Sequence, residues 1–161
     1  MATIASPSRA HSVIACRLAA DEAELRAHFA VRRAIFVEAQ ELFADDDRDE
    51  RDSRAETLHA VGVVDGAVCG AVRLYPLGDG ELWKGDRLAV LADARARRLG
   101  GMLVRFAVAT AGERGGETMV AQIQLPNVRF FEHLGWHADG EPADYHGVMH
   151  QPMAIGLAPG R

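Results

Sequence analysis

Apolar positions fall at three- and four-residue spacing from Leu25 through His28 and Phe29, Arg32, Ile35 and Phe36 to Ala39, which predicts an amphipathic helix over 22–39. Asp21, with Glu24 three residues later, has the form of a capping box at its start. Before it, 12–18 alternates weakly and reads as a first strand, while 1–11 carries no periodicity, as a mobile tail would. After it, two β-rich runs, 57–64 and 67–75, flank Asp65-Gly66, a pair that favours a tight hairpin turn. Asp79-Gly80 marks another turn before 81–91, so three antiparallel strands follow one another.

A helix over 99–113 carries Leu99, Met102, Leu103, Phe106, Ala109 and Thr110 on one face and stops at Gly115-Gly116. The apolar, β-branched content of 118–125 suits a central strand. Asn127 is expected to cap a short helix that runs to His133 and ends at Gly135. A last strand over 149–157 contains Pro152, which predicts an edge position or a bulge. This order describes an α/β sandwich with a mixed sheet and no internal repeat.

The predicted elements meet in one stretch. A short apolar strand from Leu88 to Leu91 leads through an arginine-rich turn into Gly100, Gly101 and the helix. The start of such a helix leaves backbone N–H groups unpaired and aligned with its dipole, which makes a seat for an anion. Arg95, Arg97 and Arg98 add guanidinium groups suited to phosphate oxygens, so a pyrophosphate is the expected ligand.

Composition narrows the setting. With 161 residues, 48% of them hydrophobic, and no internal linker, residues 1–161 are expected to form a single domain. The net charge of −5 disfavours nucleic acid as a partner and makes the basic turn a local feature. No apolar run approaches the roughly 20 residues of a membrane helix, and no signal peptide is evident. The two cysteines, Cys16 and Cys69, lie in apolar runs and read as buried thiols of a cytoplasmic protein.

Arg95-Ala-Arg-Arg-Leu-Gly100 resembles the acyl-CoA signature of the GNAT superfamily of N-acetyltransferases, Arg/Gln-x-x-Gly/Ala-x-Gly/Ala, with Arg98 where that pattern prefers Gly or Ala. Asn127-Val-Arg-Phe-Phe-Glu-His-Leu-Gly-Trp136 is similar to a shortened form of the superfamily's Asn-x-x-x-x-Phe-Tyr-x-x-x-Gly-Phe segment. Arg32 to Gln40, Asp49, Asp52, His59 and Tyr145 to Met153 together resemble the bacterial nitrogen-starvation N-acetyltransferases. The likeness runs from about residue 13 to 157. It implies a GNAT fold, with a mixed, mostly antiparallel central sheet of six to seven strands flanked by about four helices.

The resemblance also implies transfer of an acetyl group from acetyl-CoA to a small-molecule amine within a ternary complex. The co-substrate would be held by Leu88, Ala89, Val90, Arg95, Ala96, Arg97, Arg98, Leu99, Gly100, Gly101, Asn127 and Phe131. The backbone near Leu88, Ala89 and Val90 would stabilise the oxyanion. The family's usual acid is a tyrosine, and Phe131 stands in its place; Tyr145 and His150 are the alternative acids. Glu38, His59 and Asp86 are candidate bases. A homodimer is compatible with this reading.

Two other functions remain open. Arg33-x-x-Phe36, the acidic loop and Gly70-x-x-Arg73-Leu-Tyr-Pro are similar to acyl-homoserine-lactone synthases, which implies a longer acyl donor. Phe131 also admits a catalytically weak CoA-binding sensor. The acidic stretch 42–56 reads as a loop over the mouth of a site or as a solvated connection. Its Asp45, Asp47, Asp49, Ser53 and Glu56 lie at spacings reminiscent of a calcium loop, but Glu50 replaces the turn glycine and Arg48 and Arg51 oppose a cation. The His133/His137 and His146/His150 pairs make no helical metal face, so no metal is expected.

Overall fold

The structure, a computed structural model, describes residues 12–95 and 98–159. The predicted tail, Ala96 and Arg97 lie outside them, as does the side chain of Arg95. Strands β1 (Ile14–Leu18), β2 (Leu58–Val64), β3 (Ala67–Leu77), β4 (Leu82–Val90), β5 (Thr118–Gln124), β6 (His137–Ala138), β7 (Ala143–Tyr145) and β8 (Val148–Gly156) form one sheet. Its order is β1-β2-β3-β4-β5-β8-β6, with β7 also paired to β8. The sheet is therefore eight-stranded, rather than the six to seven strands expected; β6 and β7 are too short to show alternation in the sequence. Helices α1 (Glu22–Arg32), α2 (Ala92–Arg95), α3 (Leu99–Glu113) and α4 (Val128–His133) complete the architecture.

Local chemistry accounts for the framework. Asp65 and Gly66, at φ 49° and 86°, make the two-residue turn between β2 and β3. The Asp21 side chain accepts from Glu24 N at 2.8 Å and opens α1. The expected helix over 22–39 is two pieces: α1 ends at Arg32 and a π-helical turn, Arg33–Ala39, continues it, with Gln40 N donating to Ile35 O at 2.8 Å.

The α3 face packs on a floor of small residues. Leu99 and Leu103 are fully buried, each contributing roughly 1.5–3 kcal/mol of burial. A Cβ at Gly62 would lie 2.7 Å from Leu99 Cδ1, and one at Gly70 2.7 Å from Leu103 Cδ1. These glycines let the helix settle directly over β2 and β3. The opposite face of the sheet carries a smaller core of Val31, Ile35, Phe36, Ala71 and Ala89 under α1.

Three local expectations change. Asn127 gives α4 no side-chain cap; a 3-10 turn, Leu125–Asn127, runs straight into it. Pro152 sits inside the sheet, facing Gln122 of β5, not at an edge. Its carbonyl accepts from Asp139 N, so its missing N–H falls on the side where β7 has ended and β6 has just begun, and no ladder bond is lost. Cys16 and Cys69 are free and only partly buried.

Candidate active site

The parallel pairing of β4 and β5 lasts only from Leu82↔Thr118 to Lys84↔Val120. Beyond it β4 runs to Val90 and β5 to Gln124 without pairing, so the two strands diverge. A cavity of about 160 Å³ fills the opening. Val72, Val104, Ala107 and Met119 make its apolar inner wall, and Gln40, Gln122, Gln124 and Asn127 add polar groups.

The wall contributed by β4 is shaped by a bulge. Ala71 pairs with Ala89 but Arg73 pairs with Asp86, so β4 has one extra residue there. Arg87, at φ 53°, occupies the left-handed region that side chains rarely adopt. The strain is held by contacts. The Arg87 guanidinium donates from Nε and Nη2 to the Asp47 carbonyl at 3.1 and 3.0 Å, and from Nη1 to Tyr145 Oη at 3.3 Å. It also stacks on the Phe43 ring, 4.7 Å from the centroid.

Arg87 belongs to a buried ionic network between the sheet and the acidic loop. Arg32, fully buried, donates to Asp47 Oδ2 at 2.7 Å and to both oxygens of Asp52 at 2.8 and 3.1 Å. Arg73 grips Asp86 with two bonds of 2.7 Å and reaches Asp49 at 2.6 Å. His59 Nε2 donates to Asp52 Oδ1 at 2.9 Å. Burial alone would raise the Asp52 carboxyl, but the hydrogen bonds from His59 and Arg32 outweigh it and hold it well below the usual range. Burial acts against the charged Arg73 too, and Asp86 and Asp49 overcome it and raise its guanidinium. Burial, with Asp86 beside it, pushes the Tyr75 hydroxyl up to about 12.

The acidic stretch is thus more than a solvated connection: its first residues, Leu42 and Phe43, line the cavity, and Asp47 and Asp52 are buried anions that neutralise arginines on α1, β3 and β4. The sequence carried the signal: Arg32 lies on the apolar face of its helix, and Arg73 lies between Val72 and Leu74 in a strand. A cation at such positions requires a buried anion. Arg33, part of the synthase-like motif, is half exposed and, among the described residues, donates to the Asp45 carbonyl and lies 3.8 Å from Glu38.

The structure brings Leu88, Asn127, Phe131, Tyr145 and His150 together around the cavity. His150 is buried, and its Nδ1 lies 2.7 Å from the Val148 carbonyl. A carbonyl can only accept, so neutral His150 is protonated on Nδ1 and keeps a lone pair on Nε2. The Tyr145 ring lies 5.2 Å from that imidazole. Phe131 is buried edge-to-face on Trp136 at 5.5 Å.

The other candidates lie elsewhere or are engaged. Glu38 is mostly exposed, 3.8 Å from Arg33, and does not line the cavity. His59 is held in the ionic network behind the wall. Asp86 lines the cavity, but Arg73 and Tyr75 occupy its oxygens. Ala89 and Val90 follow Leu88 in β4 and are buried.

At the start of α3, Arg98 takes the N-cap position at φ 62° without a side-chain cap. This is the position where the signature prefers a small residue, and its left-handed backbone is the reason. Leu99, Gly100 and Gly101 form the first turn, and a Cβ at either glycine would meet no atom of the described residues nearer than 3.7 Å. Among the described residues the helix start is therefore open and without a side-chain cap, a geometry that fits a pyrophosphate.

The sequence model of the acetyltransferase (GNAT) family matches residues 22–136. An uncharacterised N-acetyltransferase of Bacillus subtilis strain 168, YjcF, is 27% identical over 124 residues, covering 77% of this chain and 86% of the relative. A crystal structure from Lactobacillus plantarum, assigned as an N-acetyltransferase, superposes with a TM-score of 0.80 at 26% identity, over 89% of this chain and 98% of that one. The CoA-dependent acyl-homoserine lactone synthase BjaI, solved with SAM and isopentyl-CoA, superposes with a TM-score of 0.74 at 20% identity, over 91% and 84% of the two chains, a likeness of fold.

Proposed function

Because the chain belongs to the acetyltransferase (GNAT) family, we propose that it transfers an acetyl group from acetyl-CoA to the amine of a small molecule, by direct attack in a complex of both substrates. The observation that carries this reading is the divergence of β4 from β5 over a cavity whose wall holds His150, with its Nδ1 turned to the Val148 carbonyl. A cytoplasmic setting and kinship with the nitrogen-starvation group are the narrower parts of the same reading.

Bound acetyl-CoA supplies a thioester carbonyl. The amides of Leu99, Gly100 and Gly101, with Arg98 beside them, take the pyrophosphate, and Asn127 faces the arm that enters the opening. Leu88 is the member of the Leu88, Ala89 and Val90 trio that lines the cavity, and its backbone N–H is the oxyanion donor in this reading. His150 Nε2 takes the proton of the attacking amine, directly or through a water. The Tyr145 oxygen accepts from Arg87, which leaves its own O–H proton to donate to the departing thiolate.

A longer acyl donor, as in the acyl-homoserine lactone synthases, is the second reading. It is favoured by the apolar depth of the cavity at Val72, Val104, Ala107 and Met119. Calorimetric titration with CoA, acetyl-CoA and a longer acyl-CoA, with thiol release followed over a panel of amines, tests both. Acetyl transfer that falls about 10²- to 10⁴-fold in His150→Gln, with CoA affinity unchanged, supports the first. Preference for the longer donor supports the second. Binding without turnover leaves a CoA sensor, and no binding overturns all three.

A further inference from the structure

Resting on the acyl-transfer reading, we propose that the acceptor is an amine that also carries a carboxylate, of the amino-acid type, and that Lys84 is the residue that receives that carboxylate. The inference starts from the charges in the cavity wall. Asp86 is the one carboxylate among the described lining residues. Arg73 takes both its oxygens at 2.7 Å, and Tyr75 donates to Oδ2 at 3.2 Å. No acidic group in the wall is left to recognise a second positive charge on an acceptor, so the site is poorly built for polyamines or other polycations.

Lys84 is in the opposite condition. Lys84 lines the cavity, is half-buried, and makes no ion pair or hydrogen bond among the described residues. A lysine that is withdrawn from water without an anion is costly, and a ligand that brings the anion removes the cost. Lys84 also holds the last paired position before β4 and β5 part, opposite Val120, at the root of the opening. Trp83 packs into the core under α3, so strand alternation turns Lys84 to the other face, which it shares with Asp86. His150 faces Gln124 on β5, two positions beyond Gln122 and four beyond Val120. By the same alternation these positions share one face, so an acceptor lying over β5 spans Lys84 and His150 and brings its amine to the base while its carboxylate meets the ammonium.

The test uses the full chain with saturating acetyl-CoA and three acceptor sets: amino acids, the same amines lacking the carboxylate, and polyamines. Product is read by mass and thiol release. Amino acids are expected to be acetylated with the highest kcat/KM. Lys84→Met is expected to raise KM for them about 10- to 100-fold, the loss of one charge-assisted bond. CoA affinity stays unchanged, KM for amines lacking the carboxylate rises far less than KM for amino acids, and Lys84→Arg recovers most of the loss. Acetylation of amines lacking the carboxylate or of polyamines in preference to amino acids, or an unchanged KM for amino acids in Lys84→Met, overturns the assignment of Lys84 while leaving acyl transfer intact. CoA binding with no acetylation of any set overturns both.

Discussion

Arg87 and Asp47 are 40 positions apart in the chain, and the Arg87 guanidinium donates twice to the Asp47 carbonyl while Nε lies 3.2 Å from Asp47 Oδ2. One side chain thus ties the acidic loop to the bulge of β4. The bulge carries the backbone that borders the cavity, so its shape depends on a loop remote in sequence.

Replacing Arg87 with Leu should expose this dependence. The substitution strips the Asp47 carbonyl of both its donors and takes from the buried carboxylate one of its two guanidinium partners, leaving Arg32, and breaking such a pair costs about 3–5 kcal/mol. Urea unfolding of Arg87→Leu beside the wild type measures it; a loss under about 1 kcal/mol would mean that the bulge is held by the strand alone.

His28 makes stability depend on pH. It is fully buried, its Nδ1 lies 2.8 Å from the Ala60 carbonyl and its Nε2 3.2 Å from Arg32 Nη1. Arginine can only donate, so His28 is neutral, protonated on Nδ1. Burial first, and Arg32 next to it, lower its pKa from 6.5 to about 3. The folded value lies below the unfolded one, so this contribution is complete above about pH 6.5 and is lost as the pH falls towards 3. Unfolding free energies at pH 7, 6, 5 and 4 should fall in the wild type by up to about 1.4 kcal/mol per unit, and by visibly less in His28→Gln. Parallel curves would refute the assignment.

Arg98 sits at φ 62° beside the helix start. Arg98→Gly removes the steric cost of that conformation and should stabilise the protein by about 1 kcal/mol. The same variant lacks a guanidinium, so CoA affinity should fall although stability rises; thermal melts with and without CoA separate the two effects.

Phe131 occupies the position of the family's tyrosine acid and lines the cavity. If thiolate departure limits the rate, Phe131→Tyr should raise kcat up to about 10-fold and lessen the penalty of Tyr145→Phe. An unchanged kcat in both variants would show that the thiolate leaves without an acid.

Much of the molecule could be read from local pattern. The Asp65-Gly66 turn, the strand runs around it, helix 99–113 with its glycine stop, the motif resembling the acyl-CoA signature and the 127–136 segment were enough to place the fold, because turn geometry, helical period and a helix start are properties of neighbouring residues. Local pattern also brought Tyr145, His150, Asn127 and Phe131 into view as site candidates. Tertiary pairing decided the rest. Arg32, Arg73 and Arg87 are neutralised by aspartates 13 to 40 positions away, and no periodicity encodes which anion meets which cation. The extra residue in β4 exists only against β3, and His150 reaches the cavity wall only because β8 pairs with β5. Local pattern sets which elements form and which residue types are available; desolvation and strand register, which arise only when distant segments close on each other, decide which of those residues are held fast in the network and which face the cavity.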